Sequence, residues 1–507
     1  MPPFISNYHI KYAGILQPNK LEFQPMNKTF ESKIDFSNIM SVLDWSIFIA
    51  ILATTYAAVI YGNRLKNKVD NNKSETIEQK NILEFLLMGR QLTLPLFVGT
   101  LVATWYGGIL GVTKIAFESG IYNFITQGFF WYLTYVIFAL FLVKKIRPYN
   151  ALTLPDMVNK MFGPKASIVA AIFTFFNTLP VAYTISIGLV LQLFFPGTLL
   201  LMMSIAMAVA IIYSIWGGLR AIVFSDFVQF TVMVSSVILV ALTSVFSFGG
   251  ISFLQSKLPA THFSPTGGYG IGATLIWGFI ALSTLVDPGF YQRVFAAKND
   301  KTAKVGILIS TLIWFVFDIC TTLGGMYARA TIPDAEPSFA YMIYTAQLLP
   351  NGLRGFFFAG IIATILSTLD SYLFIAGTTI SVDLVPKKLQ QKKFIFHHLG
   401  LMAVGILTVL LANSFEGDIK TAWKTLGSYF ASCLLLPVMY GHIFPKKISD
   451  GQFVFASILG VIAVTYWRLT PKGGLWAEVD ELYVGIVITT LGILLFPLLR
   501  DMTKQKK

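Results

Sequence analysis

Thr364, Ser367, Thr368 and Ser371 stand at i, i+3, i+4 and i+7, so a helix through this stretch carries four hydroxyls on one face, beside Asp370. A single such hydroxyl commonly bonds the carbonyl one turn back and does nothing more. Four together on an otherwise apolar segment supply hydroxyl and carbonyl oxygens, the hard ligands that a desolvated sodium ion requires. Two further clusters share an i, i+1, i+4 spacing. Ser225, Asp226 and Gln229 follow a tight-turn sequence containing Gly217, Gly218 and Arg220, and Ser283, Thr284 and Asp287 end at the helix-breaking Pro288. An acid entering a membrane helix faces the protein interior or water and is a functional candidate by default. For Asp226 the alternative is a structural pair with Arg220; for Asp287, pairing with Arg293 at the membrane boundary is expected ahead of a substrate role.

The apolar segment 92–112 is interrupted at 102–111, where Thr104, Trp105 and Tyr106 lead into Gly107 and Gly108. A diglycine disfavours a continuous helix, and in hydrocarbon any backbone group it frees must find a partner other than water. Unwound carbonyls at membrane depth suit a small hard cation, and a half-helix amino end suits an anionic group on a solute. The competing reading is that the glycines let a neighbouring helix approach closely. The stretch alone does not separate the two.

The elements that must position these groups are membrane spans. With 507 residues, 55% of them hydrophobic and only 12% charged, and a mean hydropathy of +0.68, an ordinary soluble globular fold is excluded. The expectation is an all-α polytopic membrane protein with about thirteen transmembrane helices, at 44–62, 92–112, 122–143, 166–195, 197–216, 221–247, 270–290, 305–328, 354–383, 395–414, 419–443, 452–468 and 482–499. The net charge of +13 does not mark a nucleic-acid surface. Its basic residues collect in alternate loops: Arg64 to Arg90, Lys144 to Lys165, Arg220, Arg293 to Lys304, Lys387 to Lys393, and Lys446 with Lys447, followed by Arg500 and Lys504 in the tail. That is the positive-inside signature of a multi-pass plasma (inner) membrane protein with its amino end outside and its carboxyl end cytoplasmic. The partners are the lipid bilayer and a small solute, with no nucleic acid and no protein partner evident.

Residues 1–42 are polar and irregular and lack a signal-peptide layout, and are read as a disordered extension or a start assigned too far upstream, with Met26 and Met40 as later candidates. The transmembrane domain runs 43–500 and the cytoplasmic tail 501–507. A short amphipathic helix is expected within 148–163, at the inner interface. Cys320 and Cys433 sit inside apolar spans, and His9, His262, His397, His398 and His442 are scattered, so no zinc spacing, nucleophile–base constellation or phosphate loop supports an enzyme.

Taken in order, the blocks 213–229, 287–298 (with Gln292-Arg293 and Ala296-Ala297-Lys298) and 363–384 make the chain from about Met40 onward resemble the sodium:solute symporter family. The resemblance implies an inverted-repeat transporter core of five helices repeated as five (about 91–247 and 268–443), each repeat opening on a broken helix. It implies sodium as the coupling ion and no organic cofactor. By matching position, the principal sodium site takes the backbone carbonyls of Val102 and Trp105, the Thr364 carbonyl, and the Ser367 and Thr368 hydroxyls. Asp226 matches an acid that some members use for a second sodium, with Ser371 and Asp370 as companions, and whether one or two ions are coupled stays open. The Thr104–Gly108 stretch is most similar to the choline-transporter branch.

The expected function is sodium-coupled import of a small organic solute by alternating access. A zwitterionic or cationic solute ranks above a sugar or carboxylate, because aromatic faces such as Tyr106, Trp277 and Trp105 can hold an ammonium. The expected solute contacts are Thr104, Tyr106, Gly107, Gly108, Trp277, Ser283 and Thr284. The rivals are a sensor of the same fold that does not transport, and a passive channel.

Overall fold

The computed structural model describes residue 36 and residues 39–65, 77–215, 217–386, 393–472 and 479–505. Most of the amino-terminal extension and the last two residues fall outside them. Within the described residues the protein is helical throughout, and the sheet-like pairing is a single parallel bridge between Leu92 and Ala297. Among the described residues nine helices are long and apolar enough to cross a membrane, and three shorter apolar helices, Leu94–Ala103, Leu199–Ile212 and Glu481–Pro497, accompany them. By length and composition the described residues do not fix the expected count of about thirteen. The segment expected at 92–112 is one reason, since it is divided into two short pieces.

The elements that matter for the site are α1 (Val42–Arg64), α2 (Leu94–Ala103), α3 (Ile109–Ser119), α4 (Gly218–Phe248), α5 (Gly270–Ala281), α6 (Pro288–Ala296), α7 (Asp300–Thr331) and α8 (Leu353–Thr378). The centre of the molecule is α8, almost wholly buried, against which α4, α1 and the broken segment pack. Two breaks face one another in the repeat. The first separates α2 from α3 at 104–108; the second follows a 3-10 turn, Leu282–Val286, and lies at Asp287, whose side chain caps α6 by accepting the Phe290 N–H at 3.0 Å. The strand-like bridge ties the two together: the Leu92 N–H donates to the Ala296 carbonyl and the Lys298 N–H to the Leu92 carbonyl, both at 3.0 Å.

Glycines allow two close approaches. At Gly107 an added Cβ would lie 2.6 Å from Tyr183 and 2.7 Å from the Thr368 Cβ, so the break can meet α8 only without a side chain there. Gly218, at φ +60°, opens α4 in the left-handed region, where a Cβ would sit 2.7 Å from the Phe85 carbonyl oxygen. The amphipathic helix expected within 148–163 runs Leu154–Met161, capped by Thr153, and its Leu154, Met157 and Val158 are buried against the rest of the protein rather than spread at a lipid interface. At the amino-terminal edge, Phe36 is fully buried and packs on Phe358 and Phe194.

Candidate solute and ion site

The hydroxyl stripe of α8 lies directly against the first break. Ser367 Oγ donates to the Ala103 carbonyl at 2.8 Å and stands 3.2 Å from the Thr364 carbonyl; Thr368 Oγ1 stands 3.3 Å and 3.2 Å from the same two oxygens. Thr368 Oγ1 also accepts the Gly107 N–H at 2.9 Å. All four side chains of the stripe are buried. The carbonyl facing the stripe is that of Ala103, one residue from the expected Val102 and two from Trp105. The Val102 carbonyl is instead taken by the Trp105 N–H at 3.3 Å and the Trp314 Nε1–H at 3.5 Å. Helical phase explains the difference, because the last intact turn of α2 ends at Ala103 and aims that carbonyl across at α8. The result is a neutral, desolvated cluster of carbonyl and hydroxyl oxygens, which fits a monovalent hard cation in ligand type.

The second expected ion site holds a positive charge already. Arg293, fully buried on α6, places Nη2 at 2.8 Å from both Thr104 Oγ1 and Ser371 Oγ, 3.2 Å from Thr100 Oγ1 and 3.7 Å from Asp226 Oδ2. Thr100 Oγ1 donates to Asp226 at 2.5 Å. Asp226 is therefore not paired with Arg220, which bonds Glu84 at 2.6 Å. Nor does Asp287 take Arg293 directly: its carboxylate accepts from the Phe290 N–H and, at 3.0 Å, from the Tyr372 hydroxyl. The carboxylates of Asp226, Asp287 and Asp370 all act on this single guanidinium.

Beside the breaks lies a cavity of about 170 Å³. Of the expected solute contacts, Tyr106, Gly108, Trp277, Ser283 and Thr284 line it, and so does Trp105. Thr104 and Gly107 do not: the first is engaged with Arg293 and the second is pressed on Tyr183 and Thr368. Lining residues that spacing did not single out include Gln127, Trp131, Asn177, Tyr183, Tyr372 and Phe430, and Asp287, expected to pair with Arg293, lines it as well. Gln127 Nε2 and Thr284 Oγ1 are buried without a hydrogen-bond partner in the protein. Trp131 and Trp277 stand with ring centroids 6.5 Å apart, and Tyr183 and Tyr372 5.5 Å apart. One described lining residue is acidic, Asp287, and none is basic. Spacing places Asp287 on one face with Ser283 and Thr284; the others come from parts of the chain that spacing cannot juxtapose.

The sodium:solute symporter family matches residues 85–460 of the chain. The chain belongs to that family. Among curated symporter relatives it is 25% identical over 362 residues to an osmoregulated proline transporter of Bacillus subtilis, covering 65% of this chain and 72% of that protein. It is 23% identical over 495 residues to a sodium/glucose cotransporter of Vibrio parahaemolyticus, covering 85% and 86%. The fold is shared with a sodium-coupled sialic acid symporter in a substrate-bound outward-open state, with a TM-score of 0.75 at 15% identity over 90% of this chain and 98% of that one. Mhp1 in an inward-facing conformation gives 0.52 at 14% identity, over 82% and 92%. The family and its fold make this symporter a multi-pass membrane transporter with the five-plus-five inverted-repeat core, and not an enzyme.

Proposed function

We propose that the protein imports a small cationic or zwitterionic organic solute, driven by sodium entering with it. The observation that carries this reading is the cavity between the breaks, walled by aromatic rings, bearing one carboxylate and no basic residue. Aromatic faces and a carboxylate attract an ammonium group, more strongly in a low-dielectric interior than in water. The unpartnered Gln127 amide gives a donor for a carboxylate, which a zwitterion carries.

The coupling ion is held by the Ala103 and Thr364 carbonyls with the Ser367 and Thr368 hydroxyls. Its charge stabilises the contact between the break and α8, which orders Trp105 and Tyr106 at the cavity, so that ion and solute each favour binding of the other. Arg293 stands where a second ion would need Asp226 and Ser371, and coupling to one sodium follows. The alternate-loop distribution of lysine and arginine supports a plasma (inner) membrane location with the amino end outside and the carboxyl end cytoplasmic.

A melting-temperature screen of the purified protein tests the solute class, using amines, betaines, amino acids, sugars and carboxylates in sodium and in potassium. Sodium-dependent stabilisation by betaines, amines or amino acids is expected. Stabilisation by sugars alone would remove the proposal.

A further inference from the structure

A carboxyl group outside every expected site lies behind the cavity wall. Asp318, in the middle of α7 and about 1% exposed, has each of its two oxygens bonded by a different tyrosine hydroxyl: Oδ1 by Tyr106 and Oδ2 by Tyr132. Two donors on two acceptor oxygens are the hydrogen-bonding complement of an ionised carboxylate. The neighbourhood is built for the arrangement. Tyr132 follows a π-helical stretch, Phe124–Phe129, and within it a Cβ on Gly128 would sit 2.6 Å from the Tyr132 hydroxyl oxygen and 3.1 Å from Asp318 Oδ2. Widened helical turns of this kind concentrate at functional sites. The symport reading gives the acid no task, yet one of its two tyrosines, Tyr106, belongs to the first break and lines the solute cavity.

The geometry points to Asp318 as a positioning residue that sets the charge preference of the solute site through Tyr106. The inference rests on the reading of the cavity as an ammonium site. Two effects act together. The bond fixes the Tyr106 ring at the wall of the cavity, while Phe317 packs on it with centroids 4.2 Å apart. A phenol donating to a carboxylate also carries more electron density on its ring, and the carboxylate one bond behind adds its own attraction in a medium that screens poorly. A cation is favoured by this arrangement; an uncharged molecule of the same shape is not.

The test uses two pairs of probes matched in shape: choline with 3,3-dimethylbutanol, and glycine betaine with 3,3-dimethylbutyrate. Dissociation constants are measured by melting shift or scintillation proximity on the purified full chain in sodium. In each pair the member with an ammonium nitrogen is compared with the one that has carbon there. The wild type is expected to prefer the ammonium member, and Asp318→Asn, which keeps shape and one acceptor oxygen, to reduce that preference about tenfold while leaving the sodium midpoint in place. Tyr106→Phe keeps the ring and removes the tie, so it is expected to lower the same ratio, with no additional loss in the double variant. It carries the test alone if Asp318→Asn fails to accumulate. A ratio unchanged in the variants, in a wild type that prefers the ammonium member, overturns the role of Asp318 and leaves the cavity reading standing. A wild type that binds neither ammonium member, or does not prefer it, overturns the cavity reading and this inference with it.

Discussion

Replacing Ser367 and Thr368 together by alanine removes the two hydroxyls that α8 presents to the Ala103 carbonyl, at 2.8 and 3.3 Å. A hydrogen-bond-type contact to a charged group contributes about 1.5–3 kcal/mol, and every 1.4 kcal/mol is about tenfold in affinity. Loss of one oxygen ligand therefore weakens sodium binding about 10- to 150-fold, and loss of both leaves only carbonyls. The structure also predicts a stability effect, because Thr368 is the acceptor for the buried Gly107 N–H at 2.9 Å; an orphaned donor there costs about 1–3 kcal/mol. The two effects separate in Ser367→Ala, which removes one ligand hydroxyl and leaves the Gly107 acceptor in place, while Thr368→Ser retains the oxygen and controls for both. The assay is a sodium titration of solute uptake into proteoliposomes, with the sodium dependence of melting temperature measured in parallel. The expected result is a sodium midpoint raised at least tenfold in the double alanine variant and near wild type in Thr368→Ser. A double variant whose sodium midpoint matches wild type would refute the assignment of the stripe.

Four other outcomes are expected. Asp287→Asn keeps the acceptor oxygen for the Phe290 N–H but removes the one carboxylate lining the cavity, so the solute half-saturation constant should rise about tenfold with the sodium midpoint little changed, read from uptake kinetics. Uptake should depend on sodium hyperbolically, since Arg293 holds the second position; Arg293→Gln strands buried Asp226, at about 3–5 kcal/mol, and adding Asp226→Asn should recover part of the lost melting temperature. His262, in the turn before α5, is held below the ordinary imidazole range first by burial and further by nearby Arg329, while its Nε2 bond to the Phe117 carbonyl pulls the other way. Its proton is taken up more readily by the unfolded chain, so this contribution is present above the unfolded value of 6.5 and is lost as pH falls below it. Melting temperature should drop between pH 7.5 and 5.5, and less so in His262→Gln.

The class of fold was legible because hydropathy and a helical period are local properties: composition demands spans, and the stripe on 364–371 names its own face. The break at Gly107 was legible for a similar reason, although its tight approach to Thr368 and Tyr183 shows that packing and an unwound backbone occur there together. What spacing could not supply is phase and partner. Which carbonyl faces α8 depends on where the last turn of α2 ends, and the structure selects Ala103 rather than Val102 or Trp105. Arg220 and Arg293 each had an acid nearby in sequence and took a distant one instead, Glu84 and Asp226, because helices crossing in three dimensions decide which charges meet. Asp318 did leave a signal, a lone acid inside the apolar span 305–328, and the general rule for intramembrane acids would have flagged it. Its tyrosine partners, one in the first break and one on another helix, would still have been invisible.

The most direct measurement is uptake of labelled glycine betaine, choline and proline into proteoliposomes of the purified protein, with membrane potential clamped and sodium or potassium outside. Accumulation of at least one of these above equilibrium is predicted when sodium is directed inward, collapsing when the sodium gradient is dissipated. Uptake of equal rate and extent in potassium, or no accumulation of any of the three in sodium, would contradict sodium-coupled transport of a cationic or zwitterionic solute.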